Sequence, residues 1–516
     1  MDAIAKEQDV GAISPKVIDS VVTAEKGEEV SAAGADAALR YAANETVLID
    51  AATNDRILRT TDRNILPWLC ALYFFQSIDK GVISYASVMG LLKDKNMSTN
   101  QFSWMGTIYY IGYLLAAYPH NRLLQKFPQA KYIAVCAFLW GAVLCTTAAA
   151  HNFAGLMCVR FFMGVLEATV NCGFVLVTAK WYKKYEHSSR VGIWAACAGG
   201  ATMIGGVVAY GCSRGSTEAH LTFHGWKILS LVTGSITVVF AVLMYFFMAQ
   251  SPIDASFFSE HDKTLAVERL RDNHQGVGSR EFKWYQFREA FTDIRTWIYI
   301  IFILAAQIPN AGVSLFTSIL IKSLGFSSNT TLLLGMPTGF VQICCNLGFG
   351  YLADRTKQRS LVAAGCHLIN IFFVSLLVGL SKVSPLHGRY GQLIAYFVMV
   401  GNGSTPYFIM ISMISSNTLG YTKKTTVNGV VFTTLGLAYL IGPQIFKDAP
   451  YYTSAKDASI GLWILSFFLL MGLYALNSRE NKKRDQEDVV NPMIHPKGQA
   501  FLDLTDKENR QFRYVL

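Results

Sequence analysis

About twelve apolar stretches, each long enough to cross a bilayer, constrain this chain more than any motif in it. Roughly 20 residues at 1.5 Å per residue cover the ~30 Å hydrocarbon core of a membrane. Such stretches fall at 65–92, 101–124, 131–150, 153–181, 190–212, 226–249, 296–322, 329–353, 360–381, 391–417, 425–446 and 458–477. Hydrocarbon offers no water to backbone polar groups, so each stretch must satisfy its own and is expected to be helical. The expectation is an all-α membrane protein with twelve transmembrane helices. Composition agrees, since 52% of the 516 residues are hydrophobic, 16% are charged and the mean hydropathy is +0.31, values outside the range of ordinary soluble domains.

The stretches divide six and six around a charged interval. This gives five segments: a tail at 1–64, a six-helix half at 65–249, a loop at 250–295, a second half at 296–477 and a tail at 478–516. The first tail is acidic, rich in Ala and without the short apolar core of a cleavable signal peptide, so it is expected to be disordered. The last tail is charged and expected to be similar. Two halves related by an axis along the membrane normal would form a substrate site between them at the midplane.

The net charge of +10 invites a nucleic-acid reading, but residues 1–64 hold seven Lys/Arg against twelve Asp/Glu, so the basic surplus lies beside the helices. There it orients the chain rather than binding nucleic acid. With both termini cytoplasmic, twelve Lys/Arg fall in the short inner loops and nine on the outer side, a bias of the expected sign. The sequons at Asn96 and Asn329 fall on the outer side. A multi-pass protein of the plasma membrane, acting as a monomer, is the expectation. All ten cysteines lie in or beside apolar stretches, where they are expected to act as small hydrophobes rather than disulfides or metal ligands.

Four charges lie deep in the stretches: Asp79, Lys80, Arg160 and Glu167. A charge at bilayer depth costs about 2.5–3.5 kcal/mol on insertion scales, which makes each a functional-site candidate. Arg160 and Glu167 are seven residues apart, about two turns, so both can face one cavity. Asp79 and Lys80 differ by about 100° around their helix, which requires a wide cavity or a helix seam. Asp79 and Glu167 are read as carboxylates that gain and lose protons, and Lys80 and Arg160 as groups that bind an anionic substrate. The alternative is a fixed Lys80–Glu167 ion pair that holds the bundle together.

The second half has no charge inside a stretch. Its contacts to substrate are assigned to Asn310, Gln342 and Asn346, although polar groups of this kind often bond only to neighbouring helices. Tyr113 in the second stretch is placed opposite Asp79. Gly192, Ala196 and Gly200, and beside them Ala201, Gly205 and Ala209, form small-residue stripes that allow close helix approach. No phosphate-binding loop for ATP is present, no cofactor is called for, and no nucleophile–base or metal-ligand constellation supports an enzyme.

The sequence GYLADRTKQR at 350–359 resembles the loop signature of the major facilitator superfamily, which implies gating roles for Asp354, Arg355 and Arg359. The corresponding loop from Tyr118 to Pro128 lacks the Asp, and in this it resembles the fungal allantoate permease group. Further resemblance lies in Ser77 to Lys80, Arg160 to Ala168, Trp181 to Lys184, Ala266 to Arg271, Phe282 to Trp284 and Gly442-Pro443. That group is similar to anion:cation symporters, which implies proton-coupled uptake of a small organic anion such as a carboxylate vitamin or nitrogen source. The wider family's acidic-basic pair and Glu correspond to Asp79, Lys80 and Glu167. Many relatives carry Arg where Lys80 stands, and a point charge recognises a carboxylate differently from a planar fork. The alternatives are a proton-driven exporter of a metabolite or drug, and a non-transporting nutrient sensor. Against the exporter, the fifth stretch lacks the Gly-Pro pair usual in antiporters.

Overall fold

The structure is a computed structural model that describes residues 49–218, 223–275, 282–383, 388–446, 452–490 and 504–516. Its regular secondary structure among these residues is helical. The first half contains α2 (Leu66–Ala86, continued through a π turn to Asp94), α3 (Thr99–Lys126), α4 (Gln129–Thr146), α5 (Phe153–Trp181), α6 (Lys184–Glu218) and α7 (Gly225–Phe247). The second contains α10 (Ile294–Ser323), α11 (Ser328–Thr356, broken at Gly335), α12 (Arg359–Val383), α13 (Arg389–Asn417, broken at Gly403), α14 (Tyr421–Ile441) and α15 (Thr453–Val490). These are the twelve expected spans. Ten of them are apolar enough to cross a membrane on length and composition alone. The other two, α2 and α3, carry Gln76, Asp79, Lys80, Ser84, Thr107, His120 and six tyrosines, and several of these polar groups line the centre of the molecule.

The two halves repeat one packing scheme. In the first, α3 packs on α5, α4 on α7 and α2 on α6; in the second, α11 packs on α13, α12 on α15 and α10 on α14. Span for span these are the same pairs, so the internal repeat that is faint in the letters is plain in the architecture.

Where the halves meet decides the state of the molecule. Toward the face opposite the termini, Ser84 hydroxyl lies 3.2 Å from Ser318 hydroxyl, Gln444 donates to Thr107 at 2.7 Å, Ser213 donates to Asn329 at 2.8 Å and Phe102 stacks edge-on against Phe316 at 5.2 Å. Near the middle, α6 and α11 touch backbone to backbone: a Cβ on Gly339 would lie 2.3 Å from the Gly199 carbonyl oxygen. Toward the termini the same helices part, and nothing lies within 4 Å of where a side chain on Gly192, Gly348 or Gly429 would begin. These side-chain contacts between the halves gather toward the face opposite the termini, and the face that carries both described termini is read as the open one.

Two expectations need correction. Part of the tail expected to be disordered is a helix, α1 (Ala51–Asn64), capped by Asp50 and burying Ile57 and Thr61. It is held by Asp62 to Arg190 at 2.7 Å and by Arg56 to Asp262, which lies on a loop helix, α8 (Glu260–Gln275). The apolar side of α1 is too sparse for a hydropathy scan to register, yet it covers the end of the first half. Likewise α15 runs past 477 to Val490, and residues 504–516 fold back onto the second half. Residues 1–48 and 491–503 of the tails lie outside the described residues. A further loop helix, α9 (Trp284–Thr292), leads into α10.

Candidate functional site

Glu167 sits at the middle of α5 with no exposed surface. Its Oε2 accepts a 2.7 Å hydrogen bond from the Tyr109 hydroxyl of α3, and its backbone carbonyl accepts from Gln76 of α2 at 3.3 Å. Its Oε1 is buried without a partner among the described residues. Two turns away on the same face, Arg160 is 4% exposed and leaves one guanidinium nitrogen unpartnered. A buried polar atom with nothing to bond costs about 1–3 kcal/mol, more when charged, so two such atoms facing one space are a place for a ligand or a proton.

Lys80 reaches the same space from α2, and its charge acts on Glu167. Even so, it makes no hydrogen bond and no ion pair within 4.0 Å among the described residues. The fixed Lys80–Glu167 pair is therefore not formed in this state. Asp79 points elsewhere. Its Oδ2 accepts from the Trp140 indole of α4 at 2.8 Å and from the Thr237 hydroxyl of α7 at 2.9 Å, in the seam of three helices. The 100° between neighbours on α2 thus divides them, Lys80 toward the cavity and Asp79 into the packing.

Phenol rings line the rest of the space. Tyr110 lies 4.9 Å from Tyr109, 6.3 Å from Tyr113 and, across the two halves, 5.0 Å from Tyr439 of α14. Tyr113 accepts from Asn171 at 2.8 Å, and Tyr407 lies in electrostatic range of Tyr439, Tyr113 and Tyr73. The sequence reading did not single out Tyr73, Asn171 or Tyr439. Asn171 had a usable signal, being one turn after Glu167 on the same face; Tyr439 comes from a distant helix and had none.

The polar residues assigned in the second half divide as well. Asn310 donates to Gln307 at 3.0 Å and lies in electrostatic range of the Tyr439 hydroxyl, so it borders the phenol cluster. Gln342 donates to Ser404 at 3.3 Å, and Asn346 accepts from Thr405 at 2.8 Å. Those two join α11 to α13.

At the open face, Asp354 pairs with Arg359 at 3.1 Å, and Arg359 also donates to Ser416 of α13 at 2.9 Å. Arg355 is exposed and makes no ion pair among the described residues. In the loop of the first half that lacks the acidic residue, His120 is the anchor. Its ring contacts Tyr132 at 2.7 Å, Thr169 at 2.9 Å and the Val165 carbonyl at 2.8 Å. The carbonyl can only accept, so Nε2 carries the proton and Nδ1 accepts from the two hydroxyls.

Comparison with known proteins bears on what moves through this site. The sequence profile of the Major Facilitator Superfamily matches residues 69–443. The chain is 37% identical over 493 residues to an uncharacterized transporter of Schizosaccharomyces pombe, covering 95% of each. It is 34% identical to the allantoate permease of Saccharomyces cerevisiae, covering 90% of this chain and 87% of that one. It is 31% identical to a thiamine pathway transporter of the same yeast, covering 89% and 86%. Among solved structures, the Escherichia coli xylose transporter in a partially occluded inward open conformation superposes with a TM-score of 0.59 at 14% identity, over 79% of this chain and 97% of that one. At that identity the likeness concerns the fold alone.

Proposed function

This chain belongs to the major facilitator superfamily of membrane transporters, and we propose that it takes up a small organic anion together with protons. One observation carries the reading: Glu167, fully buried, shares a space with two cations that have no carboxylate partner there. A lone carboxylate among cations can hold a proton or attract them, and an arriving anion competes for the same charges.

In the proposed cycle the face bearing the termini is cytoplasmic. From the outer side Glu167 binds a proton, which leaves Lys80 and Arg160 free to hold a substrate carboxylate. The halves then rock about the α3–α14 and α6–α11 seams to the open state described above. Loss of the proton to the cytosol restores the attraction of Glu167 for both cations and displaces the substrate. Asp354, Arg355 and Arg359 act at the inner loop, where the Arg359 bonds to α13 make and break as the face closes. Asn310 and Tyr113 contact the body of the substrate. Gln342 and Asn346 hold α11 against α13 beside it. Asp79 positions α2 rather than carrying a proton.

The test is uptake of radiolabelled small carboxylates into cells expressing the chain in the plasma membrane, at two external pH values, with and without a protonophore. Accumulation that rises at the lower pH and collapses with the protonophore is expected. Efflux of a preloaded compound with no carboxylate accumulation would favour the exporter instead.

A further inference from the structure

The charged groups account for a carboxylate but not for the wall opposite them. That wall is built from five tyrosines on four helices: Tyr73 of α2, Tyr110 and Tyr113 of α3, Tyr407 of α13 and Tyr439 of α14. Tyr73 and Lys80 are seven residues apart, so they share a face of α2 and look into one space. One of the five hydroxyls, that of Tyr113, is engaged by Asn171, and Asn310 acts on that of Tyr439. The hydroxyls of Tyr73, Tyr110 and Tyr407 have no hydrogen-bond partner among the described residues. Nor are they sealed in packing like those of Tyr299 and Tyr396.

Phenylalanine would pack as well as these tyrosines if the rings only filled space. Three idle hydroxyls beside an unpartnered carboxylate oxygen and an unpartnered guanidinium nitrogen point to a ligand that meets both rings and donors. A ring face carries partial negative charge and does not attract a carboxylate, so it contacts the uncharged part of the substrate. An aliphatic body would bury the same area without using ring geometry or the hydroxyls.

Resting on the anion reading above, we propose that the substrate is a carboxylate carried on a flat, conjugated body with hydrogen-bond acceptors. Its carboxylate lies on Lys80 and Arg160 and its plane against Tyr110 and Tyr439. Because the Tyr110–Tyr439 contact joins the two halves, the ligand's plane also touches both bodies that move.

The experiment is calorimetric titration of the purified full-length protein with benzoate, cyclohexanecarboxylate and benzyl alcohol, a set that varies flatness and charge separately. Benzoate is expected to bind about two- to twelvefold more tightly than cyclohexanecarboxylate, the range that aromatic contacts add beyond buried area. Tyr110→Leu and Tyr439→Leu are expected to erase that difference, and Tyr110→Phe to retain it, with melting temperatures recorded to exclude misfolding. Equal binding of the two acids overturns the flat-body proposal and leaves the anion reading standing. Benzyl alcohol binding as tightly as benzoate, with Lys80→Met indifferent, overturns the anion reading. Binding of neither acid overturns both.

Discussion

Asp79 and Glu167 are both buried carboxylates with different partners, and the proposed cycle gives them different work. Asp79 accepts from Trp140 and Thr237 at the junction of three helices. Asp79→Asn keeps an oxygen for those donors, so proton-coupled uptake should survive. Asp79→Ala strands two buried donors at a cost of about 1–3 kcal/mol each, which should lower the melting temperature of the purified protein. Loss of coupling in Asp79→Asn with an unchanged melting temperature would return Asp79 to the coupling site. The sequence exposed the four deep charges because charge in an apolar run is visible in the letters. It could not say which of two adjacent residues faces the cavity, since that depends on where α4 and α7 supply donors.

The seam between α6 and α11 is the element on which the proposed rocking turns. At Gly339 a methyl group would lie 2.3 Å from the Gly199 carbonyl oxygen, closer than any real contact, so Gly339→Ala must separate the helices. Overpacking of this kind costs about 1–3 kcal/mol, and it should be felt in whichever states keep the seam tight. Spin labels on the terminal ends of α3 and α14 are expected to report a changed distance distribution, with slower uptake. An unchanged distribution and rate would remove the seam from the mechanism. The small-residue stripes read in α6 turn partly to α2 instead, where Gly200 faces Phe74 and Gly205 faces Tyr85; neither Gly199 nor its partner Gly339 was singled out, because nothing in one helix names the helix it will touch.

A second element concerns the segment 504–516. Lys423 at the start of α14 is 2% exposed and is held by Asp506 at 2.7 Å, Asp293 at 2.8 Å and Glu289 at 2.9 Å. Arg484 grips the carbonyls of Asp506, Asn509 and Phe512, while Asn417 and Val515 exchange bonds. The segment therefore joins the ends of α13, α14 and α15. Burial works against the charge of Asp293, but the Lys423 charge and hydrogen bond outweigh it and hold the carboxyl below its ordinary value. A lowered carboxyl value contributes stability that is present above the unfolded value of about 4 and is lost as pH falls through the folded one. Melting temperature should thus carry the full Asp293 contribution, without pH dependence from this group, near neutral pH and fall below about pH 4, and Asp293→Asn should lower the neutral plateau and flatten that acid limb. Asp506→Ala should cost at least about 1.5–3 kcal/mol at pH 7, since it removes the charged hydrogen bonds from both Lys423 and the Tyr514 hydroxyl. An unaltered melting temperature would mean that the segment does not brace the half. Charged, Pro-containing tails read as disordered because the partners that fold them lie on other helices.

Across the whole molecule, two six-helix bodies with the same internal pairings meet on one face and part on the other. The count of spans, their division into two halves and the concentration of mid-span charges in the first half were legible from hydropathy and charge. The open state was not, because the same sequence must also support a closed one. In the proposed cycle the charge asymmetry gives the halves different tasks: the first carries Glu167, Lys80 and Arg160, while the second supplies neutral groups such as Asn310 and Tyr439. The most direct test is reconstitution of the purified protein into liposomes containing a pH indicator, with a transported carboxylate added outside. Substrate-dependent acidification of the interior is predicted for the native chain. In Glu167→Gln it should be absent, while substrate exchange across the membrane persists. Acidification by Glu167→Gln equal to that of the native chain would contradict the assignment of the proton to Glu167.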